Sequence, residues 1–181
     1  MYREYFGEIP DSPINKIISD KNAMTMHKQN RDWTCSIACL RTILGTKKTE
    51  DWFVNIFHMK PGPYYSRDFK KIADQFKGFS FLFGCDDNKC GDVEKFYKIL
   101  SLIKDGWSVM IETMYNYAHW LVILGFYPCG NKISNCNILL WDPYSGNTRM
   151  ENMEEVISMW ADGDFAHTNI KNDYIAAKRC C

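Results

Sequence analysis

QNRDWTCSIACLRTIL, residues 29–44, changes character at its centre. Ile37, Leu40 and Leu44 recur at helical spacing, whereas residues 29–34 hold almost nothing to bury, so a polar turn runs straight into a helix. Cys35 then falls in the first turn of that helix. Unpaired backbone N–H groups and the positive end of the helix dipole gather there, and both favour the thiolate over the thiol. Gln29, six residues upstream, is close enough to turn its carboxamide toward the sulfur. A carboxamide N–H beside a nucleophile stabilises the oxyanion that forms when a carbonyl is attacked. A plainer account also fits: Cys35 and Cys39 share one helix face as two small apolar residues, the common fate of free cysteines.

The chain has 181 residues, 46% of them apolar and 15% aromatic, enough for one globular domain with a substantial core. Lys plus Arg and Asp plus Glu both total 22, so the overall charge recommends neither nucleic acid nor an anionic membrane as partner. The opening MYREYFGEIP carries charges where a signal peptide needs an apolar run. No later run reaches the roughly 18 apolar residues of a membrane helix. We therefore expect a cytoplasmic protein with no integral membrane segment and no cofactor.

Eight cysteines decide little by their spacing. Without a signal peptide they read as reduced thiols. Cys85, Cys90, Cys129 and Cys136 admit separate thiols, local disulfides or a four-thiolate zinc site, although their gaps of four and six residues exceed the two-residue knuckles of strong zinc motifs. Cys180 and Cys181 close the sequence.

Along the chain, residues 1–24 suggest an extended lead-in, and residues 24–27 alternate weakly, as a short strand delivering Gln29 would. Residues 49–59 place Trp52, Phe53, Ile56 and Phe57 on one helical face behind Thr49 as N-cap. Ser66 opens a further helix in which Phe69, Ile72, Ala73 and Phe76 repeat up to Gly78. A short aromatic strand at 79–83 and a helix at 92–104 follow. Runs 107–112, 119–127 and 137–141 are strand-like and separated by short polar links, a helix spans 153–160, and 169–177 reads as a last strand. Helices first and sheet second predict a single α+β domain over residues 1–181, helices packed against an antiparallel sheet.

His119 opens the strand HWLVILGFY and Asp142 closes the strand NILLWD, just before Pro143. If these runs pair through the link YPCGNKIS, both residues lie at one edge of the sheet. Separately they read as a surface imidazole and a turn former. Together with Cys35 they supply a nucleophile, a base and a group that orients the base, with Gln29 as oxyanion donor. One ring nitrogen of His119 is then expected within about 4 Å of the Cys35 sulfur, the other facing Asp142. Trp33 and Trp120 flank these residues and read either as walls of a substrate groove or as core. His27, His58 and His167 stand at no ligand spacing.

Gln29 and Cys35 with five residues between them, ACL at 38–40, HWLVIL at 119–124 and DPYSG at 142–146 resemble the motifs of papain-like bacteriocin-processing peptidases. The resemblance covers about residues 26–146. Enzymes of that family cut leader peptides after a double glycine. The resemblance implies a papain-like fold, with Cys35 as nucleophile, His119 as its base, Asp142 as orienting partner and Gln29 as oxyanion donor. It implies a peptide or protein as substrate. Thr34 and Ser36 depart from the Asp-Cys-Gly usual in the family, the His119 to Asp142 interval is longer, and a freestanding enzyme without an exporter domain is expected. Three functions stay open: a peptidase, a glutamine deamidase or acyltransferase using the same triad, and a silent peptide-binding module.

Overall fold

The structure, a computed structural model, describes residues 17–18, 24–84, 91–114, 117–127, 136–161 and 170–180. Among them the elements are β1 (Ile17–Ile18), α1 (Cys35–Leu44), α2 (Glu50–Phe57), α3 (Ile72–Gln75), β2 (Phe79–Phe83), α4 (Asp92–Lys104), β3 (Ser108–Met114), β4 (Ala118–Tyr127), β5 (Asn137–Asp142), β6 (Asn147–Asn152), α5 (Met153–Ala161) and β7 (Tyr174–Arg179). The fold is α+β, with most helices ahead of the sheet. All described strand pairs are antiparallel, in the order β2-β7-β3-β4-β5-β6, and β1 pairs with β4.

The sheet buries both faces, and β4 shows why its sequence is a nearly unbroken apolar run. Trp120, Val122 and Leu124 enter a core with Ile37, Leu40, Ile43 and Leu44 of α1. Leu121 and Ile123 enter a second core with α4 and α5, through Phe96, Leu100, Val156 and Trp160. α1 ends where the backbone turns left-handed at Gly45 (φ 56°), whose N–H closes on Thr42 and Arg41 carbonyls. Thr49 caps α2 by accepting the Trp52 N–H, as its position predicts.

Four expectations need correction. Residues 24–27 form no strand: His27 N–H donates to Thr42 Oγ1 (3.0 Å) and Gln29 N–H to the Pro143 carbonyl (3.0 Å), so single anchors replace a ladder. The helix expected from Ser66 to Gly78 divides into a 3₁₀ turn, Ser66–Phe69, and the short α3. Phe69 and Ile72 are both fully buried, and their spacing of three suits 3.0 residues per turn better than 3.6. The last strand runs Tyr174–Arg179 rather than 169–177, and it inserts between β2 and β3. β6 was not expected; its NTRMEN has no apolar alternation because it is an edge strand with largely exposed side chains.

Candidate functional site

β4 and β5 pair with Val122 opposite Trp141, which carries Asp142 to the mouth of β4. There His119 Nε2 and Asp142 Oδ1 lie 2.9 Å apart. The same carboxylate oxygen accepts the backbone N–H of Tyr144 (2.8 Å) and, at longer range, that of Ser145 (3.5 Å), so the DPYSG turn holds Asp142 from behind. These bonds keep the Asp142 carboxyl below its usual range against the opposing effect of burial. Asp142 on Nε2 fixes the tautomer with the proton there, leaving the Nδ1 lone pair as the basic site. Burial lowers the His119 pKa more than Asp142 raises it, and Arg149 lowers it further. The resting imidazole at neutral pH is therefore uncharged.

Cys35 is the first residue of α1, as its sequence position predicts. It reaches the sheet at an edge. His119 turns its carbonyl to β3, where Thr113 Oγ1 donates to it (3.0 Å), so the next residue, Trp120, turns its N–H and C=O the other way. β5 has ended there. The first two turns of α1 fill the gap: Cys35 places its sulfur against the Trp120 N–H, and the Cys39 thiol donates to the Trp120 carbonyl (3.2 Å). The described contacts join the imidazole to Asp142 and the sulfur to the N–H of the next residue of β4, Trp120; none of them joins imidazole and thiol directly.

The expected activation of the thiol by the helix start is not what the structure gives. Burial raises the Cys35 pKa, and the N–H groups of Trp120, Ser36 and Cys35 itself only partly offset it; the Glu112 carboxylate adds to the rise. Removing a thiolate from water outweighs three N–H dipoles. Cys35 rests as a neutral thiol, and Cys39, completely buried, lies well above the ordinary thiol value.

Gln29 is joined to the same turn as Asp142 through the Pro143 carbonyl. Its Nε2 donates to the Arg31 carbonyl (2.9 Å), and that carbonyl also receives the Thr34 N–H (3.1 Å). One carboxamide N–H is thereby spent inside the turn and one remains. A residue that the sequence did not mark stands behind this turn. Glu50, in the first turn of α2 and only 2% exposed, accepts the Asn30 N–H on Oε2 (3.0 Å) and the Thr34 hydroxyl on Oε1 (2.8 Å), with the Arg31 guanidinium 3.8 Å away. Nothing in EDWF separates it from an ordinary first-turn acid.

Trp33, Trp120 and Cys35 line one cavity of about 210 Å³, which Asp32, Pro63 and Tyr64 also wall. Trp120 is buried, and its indole N–H donates to the Tyr64 carbonyl (2.8 Å), pinning the 62–64 loop over the cavity. His27 is half-buried and His58 ends α2 in a left-handed conformation; neither joins the site, and His167 lies outside the described residues. Cys85, Cys90 and Cys129 of the zinc alternative also lie outside them, while Cys136 is buried. Among the described residues no group of His, Cys, Asp or Glu has metal-binding geometry, and no helix is long and apolar enough to cross a membrane. Comparison of the chain with protein-family models and with curated protein sequences gave no match.

Proposed function

We propose that the protein is a cysteine hydrolase of papain-like type that attacks an amide carbonyl, with a peptide bond in a peptide or protein as its substrate. The observation that carries this reading is the His119–Asp142 bond at the residue next to the one whose N–H meets the Cys35 sulfur. In the proposed reaction the Cys35 proton passes to His119 Nδ1 as the sulfur adds to the carbonyl carbon. The carbonyl oxygen takes the negative charge, and the Cys35 backbone N–H and the second N–H of the Gln29 carboxamide are its donors. Collapse expels an amine, which takes the proton back from His119, and leaves a thioester on Cys35. Water, deprotonated by the same nitrogen, then releases the acid and restores the thiol. Asp142 keeps its proton off throughout and stabilises the imidazolium that forms between steps.

Because thiol and imidazole both rest uncharged, the reaction begins from a neutral pair and the proton moves with the attack. A second reading, deamidation of a side-chain carboxamide, is favoured by the size of the cavity, which falls below the roughly 300–1,000 Å³ of ordinary ligand pockets and suits one side chain. Intact-mass spectrometry of peptide and protein mixtures incubated with the chain separates the two. Cleavage yields two shorter chains that together weigh one water more than the substrate; deamidation leaves one chain heavier by about one mass unit, ammonia having been exchanged for water. Either product must vanish with Cys35→Ala, and a product that survives it rules the mechanism out.

A further inference from the structure

We infer that Glu50 is a positioning residue of this site: it holds the turn of residues 30–34 so that the Gln29 carboxamide and the Cys35 N–H converge on a single oxygen. The inference rests on the reading of Cys35 as a nucleophile. Its warrant is where the carboxylate has been placed. Asp51, the neighbouring acid in the first turn of α2, keeps its side chain 70% exposed and pairs with Arg31, which is what an acid serving only the helix dipole does. Glu50 is instead withdrawn from water, a costly position for a carboxylate unless hydrogen bonds replace its hydration.

Those bonds come from the turn ahead of Cys35: Asn30 N–H on one oxygen, the Thr34 hydroxyl on the other, and the Arg31 guanidinium nearby. Thr34, fully buried, is the residue from which α1 starts, and it makes no side-chain cap of its own helix. Its hydroxyl also accepts the Arg31 N–H (3.2 Å), which closes the turn on itself. The Arg31 carbonyl then faces inward, where it takes the Gln29 Nε2 and so sets the plane of the carboxamide. In Glu50→Gln one carboxamide oxygen replaces two carboxylate oxygens, so the Thr34 hydroxyl falls back on the Arg31 carbonyl, 2.9 Å away, where it competes with the Gln29 Nε2. Gln29 and Cys35 would keep their identities and lose their common aim.

The probe is acetyl-glycyl-glycinal. Its aldehyde accepts the Cys35 S–H across the C=O bond: an S–C bond forms, the π bond breaks, the proton passes to oxygen, and that oxygen occupies the oxyanion position. Iodoacetamide serves as the control, because it reports the thiol alone, losing iodide without building charge on a carbonyl oxygen. With the full chain, calorimetric affinity for the aldehyde is expected to fall about tenfold or more in Glu50→Gln, while the iodoacetamide rate at Cys35 stays within about threefold. Gln29→Ala should match that loss, and adding Glu50→Gln to it should take away little more, since both act through one donor. Thr34→Val reproduces the effect and Thr34→Ser restores the wild-type affinity, which keeps the test available if Glu50→Gln does not fold.

Unchanged aldehyde affinity in folded Glu50→Gln or Thr34→Val would overturn the positioning role while leaving the nucleophile in place. A wild-type chain that binds no aldehyde would overturn the hydrolase reading and this inference together.

Discussion

His119 and Asp142 are joined by a 2.9 Å bond between residues 23 positions apart in sequence, and the Asp142 oxygen that makes it also accepts the Tyr144 N–H. The orienting carboxylate is thus fixed by its own turn before the imidazole arrives. Asp142→Asn should hold the turn and lose the interaction with Nε2–H in its charged form. Turnover is expected to fall roughly 10²–10⁴-fold, the range of general-base contributions, whereas Cys35→Ala should leave none. Comparing kcat for the two variants checks the order; an Asn variant as dead as the alanine would make Asp142 more than an orienting group.

The dependence on pH follows from the directions of the two shifts. Neutral His119 is the base, and burial holds its pKa below the ordinary value of about 6.5. Activity should climb as pH rises through a midpoint below that value and be level by neutrality. The Cys35 thiol is shifted the opposite way, so its alkylation by iodoacetamide should stay slow through neutrality and accelerate only on the alkaline side. A preformed thiolate–imidazolium pair would instead give fast, nearly flat alkylation across that span.

The His119 ring and the Cys35 sulfur meet β4 at neighbouring residues, so a reagent of fixed span is informative. 1,3-Dibromoacetone first alkylates a thiol and can then close onto a nucleophile about 5 Å away, on the order of a short hydrogen-bonded pair plus one bond. We expect a Cys35–His119 bridge in the wild-type chain, seen by peptide mapping, and only a single adduct in His119→Ala. A wild-type chain that stops at the single adduct would show that the imidazole does not reach the thiol.

Gly146 has φ of +73°, and a Cβ there would stand 3.1 Å from the Lys28 side chain. Gly146→Ala should therefore lower stability by about 1–2 kcal/mol from backbone strain, while the flexible Lys28 side chain gives way at little further cost. Chemical denaturation measures the loss, and a variant as stable as the wild type would count against strain at this position.

Much of this architecture is legible in local pattern. The apolar periodicity of α1, α4 and α5 and the strand character of β3, β4 and β5 are properties of short windows, and so is the Thr49 cap. The juxtaposition of His119 with Asp142 follows from strand lengths once β4 and β5 are paired. What escapes is set by distant partners. Residues 24–27 alternate like a strand and are held by Thr42 and Trp141 side chains instead. Glu50 looks like Asp51 until the turn of Asn30 and Thr34 folds over it. The thiol is the clearest case: its place at a helix start is readable, while the desolvation that decides its protonation comes from the whole fold around it.

The place of β7 in the sheet bears on how the chain is assembled. β7 lies between β2 and β3, with Ile175 opposite both Phe83 and Met110, yet it is synthesised after every other strand of the sheet. Until Tyr174–Arg179 has left the ribosome, β2 and β3 each present an open edge, and β2, which among the described strands pairs with β7 alone, has no described route into the sheet. Nascent chains should accordingly be slow to become protease-resistant and prone to pair with one another through β3, and a chaperone that covers extended segments would act during that interval.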